Sequence, residues 1–269
     1  MQLSIVILNY KTKGLLKQCL RGIHEGRLTM PHEVIVVDNH SGDGSLEMVR
    51  EQFPGVRRIE AKQNNGFAAG MNLGWKEANG AYVLMLNPDV AVFGGAVEKL
   101  VSYLHQHPRV ALAAPQLINP DGTSQISAFR FPDWTVPILR RTGLGHLPFA
   151  KKKLHRYLMT GWDRHDNQAV GWVLGACMLL RREALVAVGG LDERFFLYFE
   201  DVDLCRRLWQ AGWEVHYVAE AEMVHYHRRL SADGSGWQTV FAYPNRVHVR
   251  SALKYFMKFA GSPQPPHHL

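Results

Sequence analysis

Asn87-Pro88-Asp89 sets a carboxylate directly behind five consecutive apolar residues, Tyr82 to Leu86. Such a run reads as a strand buried on both faces, and Pro88 cannot extend a central ladder, so the strand stops there. Asp89 is then held at the carboxyl end of a strand, where open α/β sheets place their ligands. An acid so placed can bind a hard cation, and the cation can bind phosphate. It can equally do no more than cap the next helix. Asp38 repeats the pattern after the Glu33 to Asp38 run. It can accept hydrogen bonds from a base N–H or ribose hydroxyls, or it can close an Asx turn. Glu200, Asp201 and Asp203 fall within four residues at the start of a predicted helix. The helix dipole favours acids in its first turn, which is a structural reason for them. The apolar approach from Phe195 to Phe199 adds a chemical one, because desolvation raises a carboxylate's pKa and makes it a better base. The residues alone favour no single acid of the three, and Asp203 is also spaced to pair with Arg206 or Arg207 along the helix. Finally, His225 and His227 alternate on a predicted strand and so share a face, either as a surface pair or as ligands. Arg228 and Arg229 follow, with positive charge suited to an anion.

Alternating strands and helices must position these groups. Leu3 to Leu8 reads as a first buried strand. A helix over about Lys13 to Gly22 follows, with Leu15, Leu16, Cys19, Leu20 and Ile23 on one face. After the Glu33 to Asp38 strand come a helix from Ser45 to Gln52 and a short strand from Val56 to Glu60. The small-residue stretch Asn64 to Gly74 reads as a loop entering a helix near Phe67. It has neither dinucleotide-fingerprint nor P-loop spacing. Gly66 and Gly70 permit close backbone approach, either to an anion at the helix N-terminus or to packing neighbours. A helix from Gly94 to about His107 and a strand from Val110 to Pro115 complete a nucleotide-binding half, residues 1–115. The fold class this predicts is α/β, a mostly parallel Rossmann-like central sheet flanked by helices.

The second half, 116–236, has an acceptor-side subregion. Asn119 to Gly122 is a plain turn, and periodicity is weak from Ser124 to Asp166. There Arg140, Arg141, Lys151, Lys152, Lys153 and Arg156 are interleaved with large apolar residues. That mixture suits an anionic bilayer surface or a lipid-diphosphate acceptor, and also a solvated loop. A strand ending near Arg181, a short helix from Glu183 to Val188, the acid-bearing helix to about Ala211 and a strand from Trp213 to Val218 follow. Residues 237–260 read as a helix interrupted near Pro244, and 261–269 as a flexible tail. One domain over 1–260 is expected.

The chain has 269 residues, 46% apolar and 20% charged, ordinary for a folded protein with a substantial core. Its three cysteines lack metal-site spacing and fit buried thiols in a reducing cytosol. No signal peptide is legible, and the longest apolar run, Val170 to Leu180, is 11 residues, too short to span a bilayer. A cytoplasmic protein is expected, at most attached to the inner face of a membrane. A net charge of +7 with pI about 9.4 suits an anionic substrate or membrane. No nucleic-acid-binding motif is present, so nucleic acid ranks last.

Four stretches in order, Ser4 to Tyr10, Val36 to Ser45, Asn64 to Asn72 and Leu86 to Val90, resemble family 2 glycosyltransferases of the GT-A fold, nearest the bacterial rhamnosyltransferase-like branch. The resemblance spans nearly the whole chain and is weakest from Ser124 to Asp166. It implies an inverting transferase acting on a nucleoside-diphosphate-sugar, dTDP-rhamnose or a UDP-sugar. The acceptor would be a hydroxyl of a glycan or lipid-diphosphate-linked molecule in cell-surface polysaccharide synthesis. It implies Mg²⁺ or Mn²⁺ held by Asp89 and His225, with His227 as second choice. The family's Asp-x-Asp has an amide, Asn87, at its first position here. Leu8, Asn9, Tyr10 and Asp38 would hold the nucleoside. Asn65, Gly66, Asn87 and Arg228 would line the donor site, with Trp172 and Gly175 near the sugar. Asp201 matches the family's general base, with Glu200 and Asp203 as substrate-binding neighbours. Arg228 and Arg229 replace the small residues this branch has after the histidine. Two alternatives stand beside this reading, a sugar nucleotidyltransferase and a catalytically silent nucleotide-sugar-binding subunit. The first fits poorly, because Asn9 to Gly14 is not a Gly-rich basic loop.

Overall fold

A computed structural model describes residues 2–93, 95–140, 142–226 and 243–265. The first half alternates as expected: β1 (Leu3–Asn9), α1 (Lys13–Glu25), β2 (His32–Asp38), α2 (Ser45–Gln52), β3 (Arg57–Glu60), α3 (Phe67–Lys76), β4 (Tyr82–Leu86), β5 (Val90–Ala91), α4 (Ala96–Gln106) and β6 (Val110–Ile118). The second half is more broken: β7 (Ala128–Phe129), α5 (Val136–Leu139), α6 (Pro148–Leu158), β8 (Gln168–Ala169), β9 (Trp172–Val173), β10 (Cys177–Arg181), α7 (Arg182–Ala187), α8 (Glu200–Gln210), β11 (Glu214–His225) and α9 (Tyr243–Lys258).

The main sheet runs β3-β2-β1-β4-β10-β6-β11-β5, with β8 added beside β11. Strands β1 to β4, β6 and β11 share one direction, while β10, β5 and β8 run against it. The period-2 alternation of β1 explains the layering. Leu3, Ile5 and Ile7 face a core built with α1, α2 and α4; Val6 and Leu8 face one built with α3 and α8. Glycines set how closely α3 approaches. A Cβ on Gly70 would collide with Leu8, and one on Gly74 with Val6 and Val37. The Gly70 and Gly74 face of α3 is therefore a packing face.

Three expectations need correction. The strand expected to end at Pro115 continues to Ile118, because a bulge in β11 between Val218 and Glu222 lies opposite the proline, which has no N–H to give. The strand expected to end at Val218 runs on to His225 in the same ladder. The aperiodic stretch from Ser124 to Asp166 folds into β7, α5, a short turn of helix over Gly143–His146 and α6; the first three are too brief for periodicity to register, and in α6 only Ala150 and Tyr157 are buried. In α9, Pro244 stands in the first turn, a position proline tolerates. Residues 227–242, with His227, Arg228, Arg229 and Trp237, lie outside the described residues, as does Arg141.

Candidate active site

Parallel registers put the ends of β1, β2 and β4 on one edge. Asn9 pairs with Asp38, and Ile7 with Leu86, so Asn9, Asp38 and Asn87 emerge together. The loops bounding this edge hold unusual backbone. Among the described non-glycine residues with positive φ, Lys11, His40, Tyr198 and Phe199 all lie there. Two consecutive bulky residues in the left-handed region, immediately before Glu200, mark strain of the kind stored at functional sites.

At the end of β2, Asp38 is 3% exposed. Its Oδ1 accepts from Asn9 Nδ2 at 2.7 Å and its Oδ2 from Ser41 N at 2.8 Å. The Asx-type link is therefore present, and each oxygen still has a lone pair for a ligand. Leu8 is buried and Tyr10 exposed beside them. Asn39, which sequence reading passed over, donates to Asn64 Oδ1 and Gly66 O, while its buried Oδ1 has no partner among the described residues. Gly66 adopts φ 92°, and a side chain there would strike the Phe196 carbonyl. Phe67 N, at the start of α3, donates to Phe196 O at 2.7 Å. That N–H is thus spent on the loop leading to the acids instead of on an anion. Asn65 is exposed, its Oδ1 accepting from Gln63.

Asp89 and His225 are brought together by an antiparallel ladder, Val224 to Ala91 and His225 to Val90, closed by Tyr226 N donating to Asp89 O. His225 Nε2 lies 3.6 Å from Asp89 Oδ2. Asp89 Oδ1 is buried with no hydrogen-bond partner among the described residues. Among those residues no group of three or more His, Cys, Asp or Glu side chains is placed to hold a metal. An imidazole and a carboxylate with an unsatisfied buried oxygen nonetheless fit a divalent cation that takes its remaining ligands from phosphate oxygens and water.

At the start of α8, Glu200 and Asp201 are 6% and 8% exposed. Asp201 Oδ2 accepts from Gly175 N at 3.0 Å and Oδ1 from Val202 N at 2.8 Å. Ala176 O in turn accepts from Asn87 N at 2.9 Å, so the 175–176 backbone joins Asp201 to the edge that carries Asp89. Burial pushes the Asp201 carboxyl up to about 6, held there and no higher by those N–H donors. Burial, and then the neighbouring Asp201 charge, push Glu200 well above the carboxylate range, and its Oε2 has no partner among the described residues. Two adjacent buried acids are thus both pushed up, and only Asp201 has backbone N–H groups on both of its oxygens.

Two residues expected to contact substrate have their polar groups taken up within the protein. Asp203 has no exposure; its oxygens pair with Arg207 Nε at 2.7 Å and with Lys258 Nζ, which also holds Asp192. Residues two apart on a helix point about 200° apart, so Asp203 faces away from Asp201. The expected pairing with Arg207 is present, and Arg206 instead lies over Phe259. Trp172 is 7% exposed, its indole N–H bonded to Arg130 O and its ring stacked on Phe129 at 4.3 Å. Gly175 acts by backbone, with its N–H on Asp201. Asp203→Ala is expected to cost stability, about 3–5 kcal/mol for an ion pair broken on one side. Denaturant unfolding checks this, and the activity of folded protein should stay near wild type. Sequence reading also missed Asn72, which ties α3 to Leu191 and Glu193 and accepts from Trp75 Nε1 within the helix, and Gln125, which meets His225.

With this geometry in place, the likenesses to known proteins are informative. Residues 4–189 match the family described as Glycosyl transferase family 2. Over 220 residues the chain is 32% identical to N-acetylglucosaminyl-diphospho-decaprenol L-rhamnosyltransferase of Mycobacterium tuberculosis, covering 73% of this chain and 67% of the relative. It is 24% identical over 265 residues to Rhamnosyltransferase WbbL of Escherichia coli K12, covering 94% and 92%. Among solved structures, GalNAc-T7 with UDP, GalNAc and Mn²⁺ superposes with a TM-score of 0.65 at 16% identity, over 96% of this chain and 48% of that one. The mannosyltransferase PcManGT of Pyrobaculum calidifontis, in complex with GDP-Man and Mn²⁺, gives 0.59 at 16% identity, over 98% and 76%. The chain thus spans about half of GalNAc-T7, and the shared architecture is the GT-A fold.

Proposed function

The chain belongs to glycosyl transferase family 2, and from that premise we propose an inverting, divalent-metal-dependent transferase that moves rhamnose from dTDP-rhamnose, or a hexose from a UDP-sugar, to a lipid-diphosphate-linked glycan. The observation that carries the reading is a pair of carboxylates tied to one sheet edge in different surroundings. Asp89 faces His225, and Asp201 sits on the Gly175 and Val202 N–H groups, its carboxyl pushed up to about 6 by burial.

Asp201 takes the proton of an acceptor hydroxyl as that oxygen bonds to the anomeric carbon. The bond from that carbon to the diphosphate oxygen breaks on the opposite face, and its electron pair leaves with the nucleoside diphosphate. Mg²⁺ or Mn²⁺, when held by Asp89 and His225, supplies charge neutralisation to that leaving group. Asp38 and Asn9 orient the nucleoside, while Glu200, protonated, keeps a second negative charge away from Asp201.

A lipid-linked acceptor accords with the surface. Residues 134–158 contain no acid, and Trp134, Ile138, Leu144, Leu147 and Phe149 are exposed beside exposed Arg140, Lys151, Lys152 and Arg156. Aromatic and basic side chains together suit an anionic bilayer, and no described helix is long and apolar enough to cross one. The test is transfer from dTDP-rhamnose and UDP-sugars, with Mn²⁺, to a GlcNAc-diphosphate-polyprenol in anionic vesicles. The expected result is a product of anomeric configuration opposite to the donor's. A retained configuration, a nucleotide-sugar made from triphosphate, or donor binding without transfer across an acceptor panel would overturn it.

A further inference from the structure

The turn after β6, Asn119-Pro120-Asp121-Gly122-Thr123-Ser124-Gln125, is more than a connection. Gln125 N donates to Leu117 O at 2.8 Å, which folds the turn back on its own strand and aims the Gln125 side chain at the end of β11. There Gln125 holds His225 at two points. Its Nε2 donates to the His225 carbonyl at 2.9 Å, and its Oε1 lies 2.8 Å from His225 Nδ1.

The polarity of this contact is determined by chemistry. A backbone carbonyl only accepts, so the Gln125 amide must present its NH₂ to His225 O and its oxygen to the ring. A second chain of bonds enforces the same orientation from outside. The Asp121 carboxylate accepts from Thr123 Oγ1 at 2.6 Å. With its hydrogen spent there, Thr123 Oγ1 accepts from Asn119 Nδ2 at 2.8 Å. That leaves Asn119 Oδ1 to accept from Gln125 Nε2, also at 2.8 Å. Every link from Asp121 to Gln125 is therefore directional, and the Gln125 oxygen at its end requires a proton on His225 Nδ1.

We infer that this turn is a tautomer-setting device: Asp121, Thr123, Asn119 and Gln125 act in series to keep the hydrogen of neutral His225 on Nδ1, so that Nε2 presents its lone pair beside Asp89. Gln125 is a positioning residue, acting on a ligand atom through the ring and not touching substrate. A ligating histidine needs one unprotonated nitrogen, and the group bonded to its other nitrogen decides which. The inference rests on the metal reading above, but its first consequence is visible without metal.

The experiment is long-range ¹H–¹⁵N NMR of the histidine rings in metal-free protein at pH 8, with His225→Gln used for assignment, alongside Mn²⁺ titration by EPR in the presence of a nucleoside diphosphate. Wild type is expected to show His225 with its hydrogen on Nδ1. Gln125→Ala should shift it toward Nε2 and weaken Mn²⁺ binding roughly 10- to 100-fold, as for loss of an outer partner of a metal ligand. Thr123→Val, which removes the hydroxyl that orients Asn119, should move both readouts the same way, and Thr123→Ser should restore both. That pair at an outer link carries the test if Gln125→Ala does not fold. A wild-type His225 with its hydrogen on Nε2, or substitutions that change neither readout, would overturn the inference. Wild type that shows the Nδ1 tautomer yet binds no Mn²⁺ would instead overturn the metal reading, and with it the purpose assigned to the turn.

Discussion

Asp201→Asn is expected to lower turnover by about 10²- to 10⁴-fold, the usual contribution of a positioned general base, while donor affinity stays near wild type. The separation follows from position. Asp201 hangs from Gly175 N and Val202 N on the acceptor side, whereas Asp89 and His225 meet at the end of the β5–β11 ladder. Initial rates with saturating donor, beside a calorimetric donor titration, distinguish the two effects. The wild-type pH profile supplies the sign. Only the carboxylate form accepts a proton, so kcat/KM should rise with pH and level off above about 6, the value to which burial lifts this carboxyl. Burial, and then the neighbouring Asp201 charge, push Glu200 well above its ordinary value, so in the proposed mechanism it is not the base. Glu200→Gln should therefore leave turnover within a few-fold of wild type. Near-normal transfer by Asp201→Asn, or a collapse in Glu200→Gln, would reassign the base.

The second large effect is expected at Asp89. Asp89→Ala should weaken Mn²⁺-supported nucleoside-diphosphate binding by more than about 100-fold, beyond the roughly 10- to 100-fold expected for an outer partner. It should do so without loss of thermal stability. Asp89 Oδ1 has no hydrogen-bond partner among the described residues, and β5 is held to β11 by backbone pairing, Val224 to Ala91 and His225 to Val90, closed by Tyr226 N on the Asp89 carbonyl. Removing the side chain thus breaks no structural bond that the described residues make through Oδ1. Calorimetry with and without Mn²⁺, plus a melting curve, checks both halves. Unchanged Mn²⁺ dependence would remove Asp89 from the metal site.

These two carboxylates were unequally legible. The run from Tyr82 to Leu86 followed by Asn87-Pro88-Asp89 located Asp89 at a strand end, because burial on both faces and a missing N–H are local properties of the chain. β4 occupies the expected residues, and its parallel pairing with β1 brings Asp89 to the edge shared with Asp38. For the acids of α8 the chain gave only a cluster. The helix period separates Asp201 from Asp203 by about 200°, but nothing local says which one faces the ligand. Gly175 and Lys258 distinguish the two from opposite sides, one giving Asp201 an N–H and the other pairing with Asp203.

By itself the sequence determined the α/β class, the strand ends that carry Asp38 and Asp89, the acid-rich start of α8 and the likeness to a transferase family. Periodicity, proline chemistry and short motifs are all written in neighbouring residues. Only the tertiary structure decided that Glu200 and Asp201 are both buried, that Asp203 is taken up by Arg207 and Lys258 and Trp172 by Phe129, and that an ordinary turn reaches His225 through Gln125. Desolvation and hydrogen-bond polarity arise between segments 26 to 100 residues apart, as from Gly175 to Asp201 and from Gln125 to His225. No window of sequence contains both partners of such a bond.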